Sequence, residues 1–275
     1  MGKRQSRPWI VSDELWSLIE PLLPEPGPKL VAGRPRVPDR QALCGILFVL
    51  HTGIQWEYLP QELGFGSGMT CWRRLAAWNE AGVLDQLHQL LLNKLRSKNQ
   101  LDWSRAVIDS SHVRAARRGP KAGPVRSTAH LRASKHHVIT DGQGIPLAVS
   151  LTGGNRNDVT QLLPLLDKIP PVAGVVGRPR RRPDTLFADR DYDHDKYRRL
   201  LRQRGIRPAI AERGQPHGTG LGTFRWVVER TISWLHGFRR LRIRWERRDD
   251  IHEAFLGLTV CLITHRHVQK LCEGQ

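Results

Sequence analysis

Through residues 1–98 the apolar positions return every three or four residues, the spacing of amphipathic helices. Leu15, Trp16, Ile19, Leu22 and Leu23 mark a first helix. Ser12 is placed to cap it, with Asp13 and Glu14 in the first turn, where the helix dipole favours acids. Pro24, Pro26 and Pro28 then stop it, because proline has no N–H to continue the ladder. A second helix is predicted from Arg40 to about His51, capped by Asp39 and ended by Gly53, with Ala42, Leu43, Ile46, Leu47 and Leu50 apolar. A third, Thr70 to Ala81, carries Trp72, Leu75, Ala76 and Trp78 on one side and Arg73 and Arg74 on the other. A fourth runs from about Leu84 to Leu95. The second and third could form a helix-turn-helix-like unit or an ordinary bundle with solvated arginines; their connector is longer than the usual turn.

From about residue 103 the period changes. Ala106–Val113 is an apolar, β-branched run that turns polar, the pattern of a buried strand. His136–Thr140 and Ile145–Leu151 flank Asp141-Gly142-Gln143-Gly144, which predicts a hairpin with a four-residue turn. Further on come a helix bearing Leu162, Leu163, Leu165 and Leu166, a strand Thr185–Ala188, and a helix from about Lys196 to Arg204 capped by Asp193 or Asp195. A short strand Ile206–Ala211, a flexible loop Gly214–Gly222, and helices Phe224–Phe238 and Ile251–Leu271 complete the chain. Three strands followed by alternating helix and strand predict a mixed α/β sheet with helices on its faces. The expected division is an all-helical domain over 1–98 and an α/β domain over 99–275.

Charge narrows the function. There are 44 Lys and Arg against 26 Asp and Glu, a formal charge of +18, which predicts a polyanionic partner, nucleic acid first. Nine Trp and 39% hydrophobic residues argue for a folded core rather than a basic tail. Cys44, Cys71, Cys261 and Cys272 form no Cys-x-x-Cys pair, so neither a zinc ribbon nor a disulfide framework is signalled. Met1–Ser6 lacks the apolar core of a secretory leader, and no stretch approaches a membrane span. A cytoplasmic, nucleoid-associated protein is expected.

Three acids stand out. Asp109 and Asp189 each close an apolar run, and a carboxylate there is costly unless something positive holds it. Glu229 lies on a helix whose core side is Phe224, Val227, Val228, Thr231, Trp234, Leu235 and Phe238, and Arg225 shares its face four residues earlier. Magnesium takes oxygen ligands, one or two carboxylates per ion, and two ions about 3.5–4 Å apart can clamp a phosphodiester. Asp109, Asp189 and Glu229 are therefore read as converging on divalent ions. Strand-end hydrogen bonding and an Arg225–Glu229 ion pair are the ordinary alternatives. Asp189–Asp195 fails as a calcium loop, because its sixth position is His194 and its twelfth Leu200. Cys261, His265, His267 and Cys272 are read as a packing helix rather than a metal cluster. The two Gly-Arg-Pro-Arg tetrads, at 33–36 and 177–180, are either minor-groove arms, with Arg34 and Arg36 on DNA, or basic linkers.

The chain resembles bacterial insertion-sequence transposases of the DDE type, in insertion-sequence family five. The resemblance rests on Leu15-Trp16, Leu22-Leu23-Pro24, Gly33-Arg34-Pro35, Gly53-Ile54-Gln55-Trp56 and Leu59-Pro60. It continues through Ile108-Asp109-Ser110, Ser134-Lys135-His136-His137 and Gly154-Asn155-Arg156-Asn157-Asp158, and is most specific in Arg225–Thr231 with Trp234-Leu235 and Phe238–Leu241.

That resemblance implies an RNase H-like core in which Asp109, Asp189 and Glu229 bind two magnesium or manganese ions. The family's fourth motif joins a Tyr, an Arg and a Lys to the Glu; Arg225 matches, while Gly222 and His236 stand at the Tyr and Lys positions. The family's Gly two residues after the second acid is Asp191 here. The expected activity is cleavage and joining of the element's own DNA ends, with a DNA-binding regulator or a non-transposing nuclease as alternatives. Double-stranded DNA, both element ends and target, is the expected partner of a homodimer that needs no small-molecule cofactor. Arg34, Arg36, Arg73, Arg74, Arg117, Arg118, Lys121, Lys135, Arg225, His236, Arg239 and Arg240 are the expected DNA contacts.

Overall fold

The computed structural model describes residues 7–25, 27, 35–125, 128–212 and 222–273. Arg34, Arg126, the residues before Arg7, most of the loop expected at 214–222 and the side chain of Cys272 lie outside the described residues.

The helical pattern of the first hundred residues is realised as α1 (Asp13–Ile19), α2 (Asp39–Thr52), α3 (Gly68–Glu80) and α4 (Val83–Ser97). Ser12 caps α1 through its hydroxyl, which accepts from the Leu15 N–H. Asp39 does not cap α2: Pro38 holds that position, and the Asp39 carboxylate instead pairs with Arg74 of α3 at 2.6 Å. Gly53, at φ 76°, ends α2 in the left-handed conformation. Ser67 caps α3, which starts two residues before the predicted Thr70. Two short 3-10 turns, Trp56–Tyr58 and Gln61–Leu63, fill the connector. A Cβ on Gly68 would sit 1.7 Å from the Trp56 carbonyl oxygen, so only glycine lets α3 begin against that turn.

The rest forms one sheet with helices on both faces. Its strands are β1 (Ala106–Ala115), β2 (Gly123–Val125), β3 (Thr128–Asp141), β4 (Pro146–Gly153), β5 (Thr185–Ala188), β6 (Arg207–Ile210) and β7 (Ile243–Arg244). The helices are α5 (Leu162–Asp167), α6 (Asp195–Gln203), α7 (Gly222–Gly237), α8 (Arg239–Arg242) and α9 (Asp249–Glu273). β3 is antiparallel to β4 on one side and to β1 on the other, while β1, β5 and β6 run parallel. The path β4-β3-β1-β5-β6, with three antiparallel strands continued by two parallel ones, is the RNase H-like arrangement. β5 spans the four residues predicted for it. α6 is capped by the His194 ring nitrogen, which accepts from the Lys196 N–H, and not by Asp193, which pairs with Arg198.

Side-chain alternation along β1 divides the core. Ala106 and Ile108 face a layer with Ile139, Leu162, Leu165, Leu186 and Leu201. Val107 faces the opposite layer with Val138, Val228, Leu235 and Phe255, and that layer runs on without a break into the N-terminal helices. α9 passes between them, buried on most sides from Ile251 to Ile263, as an apolar helix inside a core must be. Among the described residues no helix is long and apolar enough to cross a membrane.

Candidate active site

β1 and β5 pair only at Ala106–Leu186 and Val107–Phe187. Beyond that point they part, and the acids stand at the fork: Asp109 two residues past the last pair on β1, Asp189 directly after β5. Such a crevice at the carboxyl ends of parallel strands is where open α/β sheets place their sites. Glu229 comes from α7, which lies against the sheet. The Thr231 hydroxyl donates to the Gly144 carbonyl at 2.6 Å, and Arg230 donates to the Gln143 carbonyl, so α7 is fastened to the β3–β4 turn. Gly144 is at φ 92°, and a Cβ there would meet the Arg230 guanidinium at 2.7 Å. Arg230 also lies over the rings of Trp226 and Trp234, 4.6 and 4.7 Å from their centroids, which orders this face of the helix.

One atom joins the three acids. Nη2 of Arg225 stands 3.4 Å from Glu229 Oε1, 3.6 Å from Asp109 Oδ2 and 3.9 Å from Asp189 Oδ2. Charge-assisted hydrogen bonds to carboxylates are about 2.7–2.9 Å long, so these contacts are a shared charge rather than a clamp. Each Asp carboxylate is held by a local N–H: Ser110 donates to Asp109 Oδ1 at 2.7 Å, and Asp191 to Asp189 Oδ1 at 2.9 Å. These aids do not offset burial. Desolvation pushes the Asp109 carboxyl up to about 6, against the Ser110 hydrogen bond and the Arg225 charge. Burial likewise raises Asp189. Three carboxylates are the hard oxygen donors that magnesium or manganese takes. Among the described residues, however, no three His, Cys, Asp or Glu side chains stand at metal-ligating spacing; around Asp109 and Asp189 it is Arg225 that supplies the positive charge.

Asp189, not Asp191, faces Arg225; Asp191 is exposed. Near the acids stand Asp158 and Tyr192, to which the sequence assigned no role. Asp158, which follows β4, takes Lys135 Nζ at 2.9 Å, and its charge bears on Asp189. Tyr192 is buried with its hydroxyl unpaired, and the charges of Asp158, Asp109, Asp189 and Asp191 all reinforce the effect of burial in raising its pKa. The Gly154–Asp158 motif was the available signal, since it follows directly on a predicted hairpin strand.

The expected DNA contacts separate into two sets. Arg36, Arg73, Arg117, Arg118 and Arg239 are exposed. Lys121 is partly exposed and pairs with Asp249 and Glu253 at 3.2 and 2.8 Å. His236 is half-buried with Nε2 3.4 Å from the Ser111 hydroxyl, and burial with the Arg242 charge lowers its pKa. Three others are committed elsewhere and correct the expectation. Arg74 is bound to Asp39. Lys135 is buried and also donates to the Arg156 carbonyl. Arg240 is 3% exposed, donates through Nε to Glu246 at 2.8 Å, and reaches the Ile54 carbonyl at 2.7 Å. Glu246 lies 3.5 Å from His252 Nδ1, and His252 Nε2 meets His136 Nε2 at 2.9 Å, completing a buried network that involves no exposed charge. Cys261 donates to the Leu84 carbonyl and belongs to no metal cluster among the described residues.

Two family models match the chain. Residues 103–264 match a family described as "Transposase DDE domain", and residues 11–88 one described as "Putative transposase of IS4/5 family". A Burkholderia cepacia protein named "Putative transposase for insertion sequence element IS402" is 60% identical over 144 residues, 52% of this chain and 68% of that protein. The "Insertion element IS402 uncharacterized 16.2 kDa protein" of the same organism is 58% identical over 116 residues, 42% of this chain and 79% of that protein. A solved structure, "Crystal structure of the Mos1 Strand Transfer Complex", overlays at a TM-score of 0.36 with 11% identity, covering 89% of this chain and 79% of that one.

Proposed function

From the premise that the chain belongs to the transposase DDE domain family, we propose that it cleaves and rejoins the DNA ends of its own insertion element. The observation that carries this reading is the meeting of Asp109, Asp189 and Glu229, from three separate elements, around one cationic atom at the β1–β5 fork. Asp109, Asp189 and Glu229 are the oxygen donors that would hold two divalent ions there once drawn closer than their present spacing, and such ions would supply the Lewis acidity that activates the attacking oxygen and stabilises the leaving one. The chain's own residues do the rest. Burial and the Ser110 N–H fix the Asp109 carboxylate in one orientation. The fastening of α7 to the hairpin turn holds Glu229 opposite it. Hydrolysis of the P–O3′ bond at the element's end leaves a 3′-hydroxyl, and that hydroxyl attacks a phosphodiester of the target, forming a new P–O bond as the target's own P–O3′ bond breaks and its 3′-oxygen leaves as a hydroxyl.

Arg36, Arg73, Arg117, Arg118 and Arg239 are the exposed cations offered to the DNA backbone, consistent with the +18 charge. The helices of residues 1–98 form the DNA-reading module and residues 99–275 the catalytic one, working as a homodimer because two ends must be handled together, in the cytoplasm where the chromosome lies. The test is incubation of purified protein with supercoiled plasmid bearing candidate ends, with magnesium or with a chelator. Joined products that appear only with metal support the proposal. Cuts never followed by joining indicate a nuclease, and binding with no cutting indicates a regulator.

A further inference from the structure

We infer that Arg225 is a built-in counter-cation that occupies the electrostatic place of the divalent ions until DNA draws it away, so that metal loading is coupled to DNA binding. The inference rests on the active-site reading above and goes beyond it by assigning Arg225 a role before catalysis. Three carboxylates gathered at a strand fork repel one another, and two of them, Asp109 and Asp189, are largely withdrawn from solvent there. The only positive group placed within 4.0 Å of all three among the described residues is Nη2 of Arg225. Its contacts, at 3.4–3.9 Å, are longer than those of a committed pair, while Arg204 grips Asp167 at 2.6 Å and Arg40 grips Asp13 at 2.5 Å. The side chain is 38% exposed, so a phosphate approaching from solvent can reach it. A guanidinium prefers the bidentate fork of a phosphate to three distant monodentate oxygens. An ion binding the same carboxylates must also contend with the Arg225 charge, because both are attracted by the same few oxygens.

The two events are therefore linked. A phosphate that takes Arg225 leaves the acids without a counter-charge and raises their affinity for a divalent ion. By reciprocity the ion raises affinity for the phosphate by the same factor. The coupling ensures that the protein without DNA holds metal weakly, and so has little hydrolytic capacity away from its substrate.

Manganese binding by the full-length protein, measured by titration calorimetry and by the spin-resonance signal of free Mn2+, tests this without any turnover. Wild type is compared with Arg225→Gln and Arg225→Lys, each with and without a short DNA duplex, and thermal melts confirm that each is folded. In the absence of DNA, Arg225→Gln should bind Mn2+ about tenfold tighter or more than wild type, since one positive charge beside the ion is gone. Arg225→Lys, which keeps the charge, should stay near wild type. DNA should tighten Mn2+ binding to wild type by more than it does to Arg225→Gln. If DNA-free Arg225→Gln binds Mn2+ no more tightly than wild type, while Asp109→Asn abolishes that binding, the counter-cation role is wrong and the metal site stands. If neither protein binds Mn2+ with or without DNA, the reading of the three acids as a metal centre falls, and this inference with it.

Discussion

Two ionic clusters lie on this fold, and they are built on opposite lines. Around Arg240 the charges are buried and the guanidinium is closely answered: it meets Glu246 at 2.8 Å and the Ile54 carbonyl at 2.7 Å, and Glu246 is kept below its ordinary range by its His252 and Arg240 partners, despite burial. Around Arg225 three carboxylates share one guanidinium at 3.4–3.9 Å, and burial raises Asp109 and Asp189 instead of lowering them. The first cluster answers its own guanidinium, although Glu246 Oε2 and the Nδ1 atoms of His136 and His252 have no hydrogen-bond partner among the described residues, and it ties the end of α2 to the α8–α9 region. The second is short of positive charge. That shortage, more than the presence of acids, distinguishes a site built to receive something from one built to hold the fold.

The contrast breaks most decisively at Asp109. Replacement by Asn should lower strand cleavage by roughly a thousandfold or more, several kcal/mol of transition-state stabilisation. DNA affinity should be spared in a gel-shift assay; near-normal cleavage would remove Asp109 from the chemistry. The Arg240 cluster should respond through stability instead. Arg240→Met leaves Glu246 buried without its main partner and should cost about 3–5 kcal/mol in urea denaturation. The double variant Arg240→Met/Glu246→Leu should recover much of that loss.

Asp109→Asn should have a second and smaller effect, of the opposite sign to that of Arg240→Met. With the folded carboxyl at about 6 against 3.8 unfolded, the native state binds the proton more tightly, so stability falls as pH rises across that window. The variant should thus be more stable than wild type at about pH 7.5 in metal-free buffer, on the order of 1–3 kcal/mol at most. The gain should vanish as pH falls towards 3.8. A variant no more stable at neutral pH would show that the acid is better compensated than its geometry indicates. The smallest effect belongs to the exposed arginines. Removing Arg117 and Arg118 by Gln substitution should weaken DNA binding evenly across sequences. It should also reduce the slope of log affinity against log salt by about one for each phosphate that is no longer neutralised.

Much of this was legible from residue order alone. β5, the Asp141–Gly144 turn and the helices of the first hundred residues follow from periodicity and from turn and cap residues, because those signals are local. The fork was half legible: an acid closing an apolar run marks a strand end, but nothing in the order of residues shows that β1 and β5 are neighbours. Arg240 misleads because it sits in Arg239-Arg240-Leu241-Arg242, where only the three-dimensional path turns one of three arginines inward. Lys135 misleads for a related reason. β3 is covered on both faces, so the run Ser134-Lys135-His136-His137 is polar in sequence and buried in space. Asp39 shows the limit of cap rules: an acid at the right place found a guanidinium on α3 more favourable than a helix terminus.

The short pairing of β1 with β5 has a mechanical consequence. On its other edge β1 is zipped to β3 from Ala106–Asp141 to Arg114–Ala133, so Asp109 is rigid with respect to the hairpin that fastens α7. Towards β5 the seam is two residue pairs long, so the place of β5 rests on side-chain packing instead: Leu186 and Ala188 are buried in the core, and Phe187 meets the Phe224 ring of α7 at 4.8 Å. The distance from Asp109 to Asp189 is thus set by the fit of apolar side chains, and the place of Asp109 relative to the hairpin by a ladder of backbone hydrogen bonds.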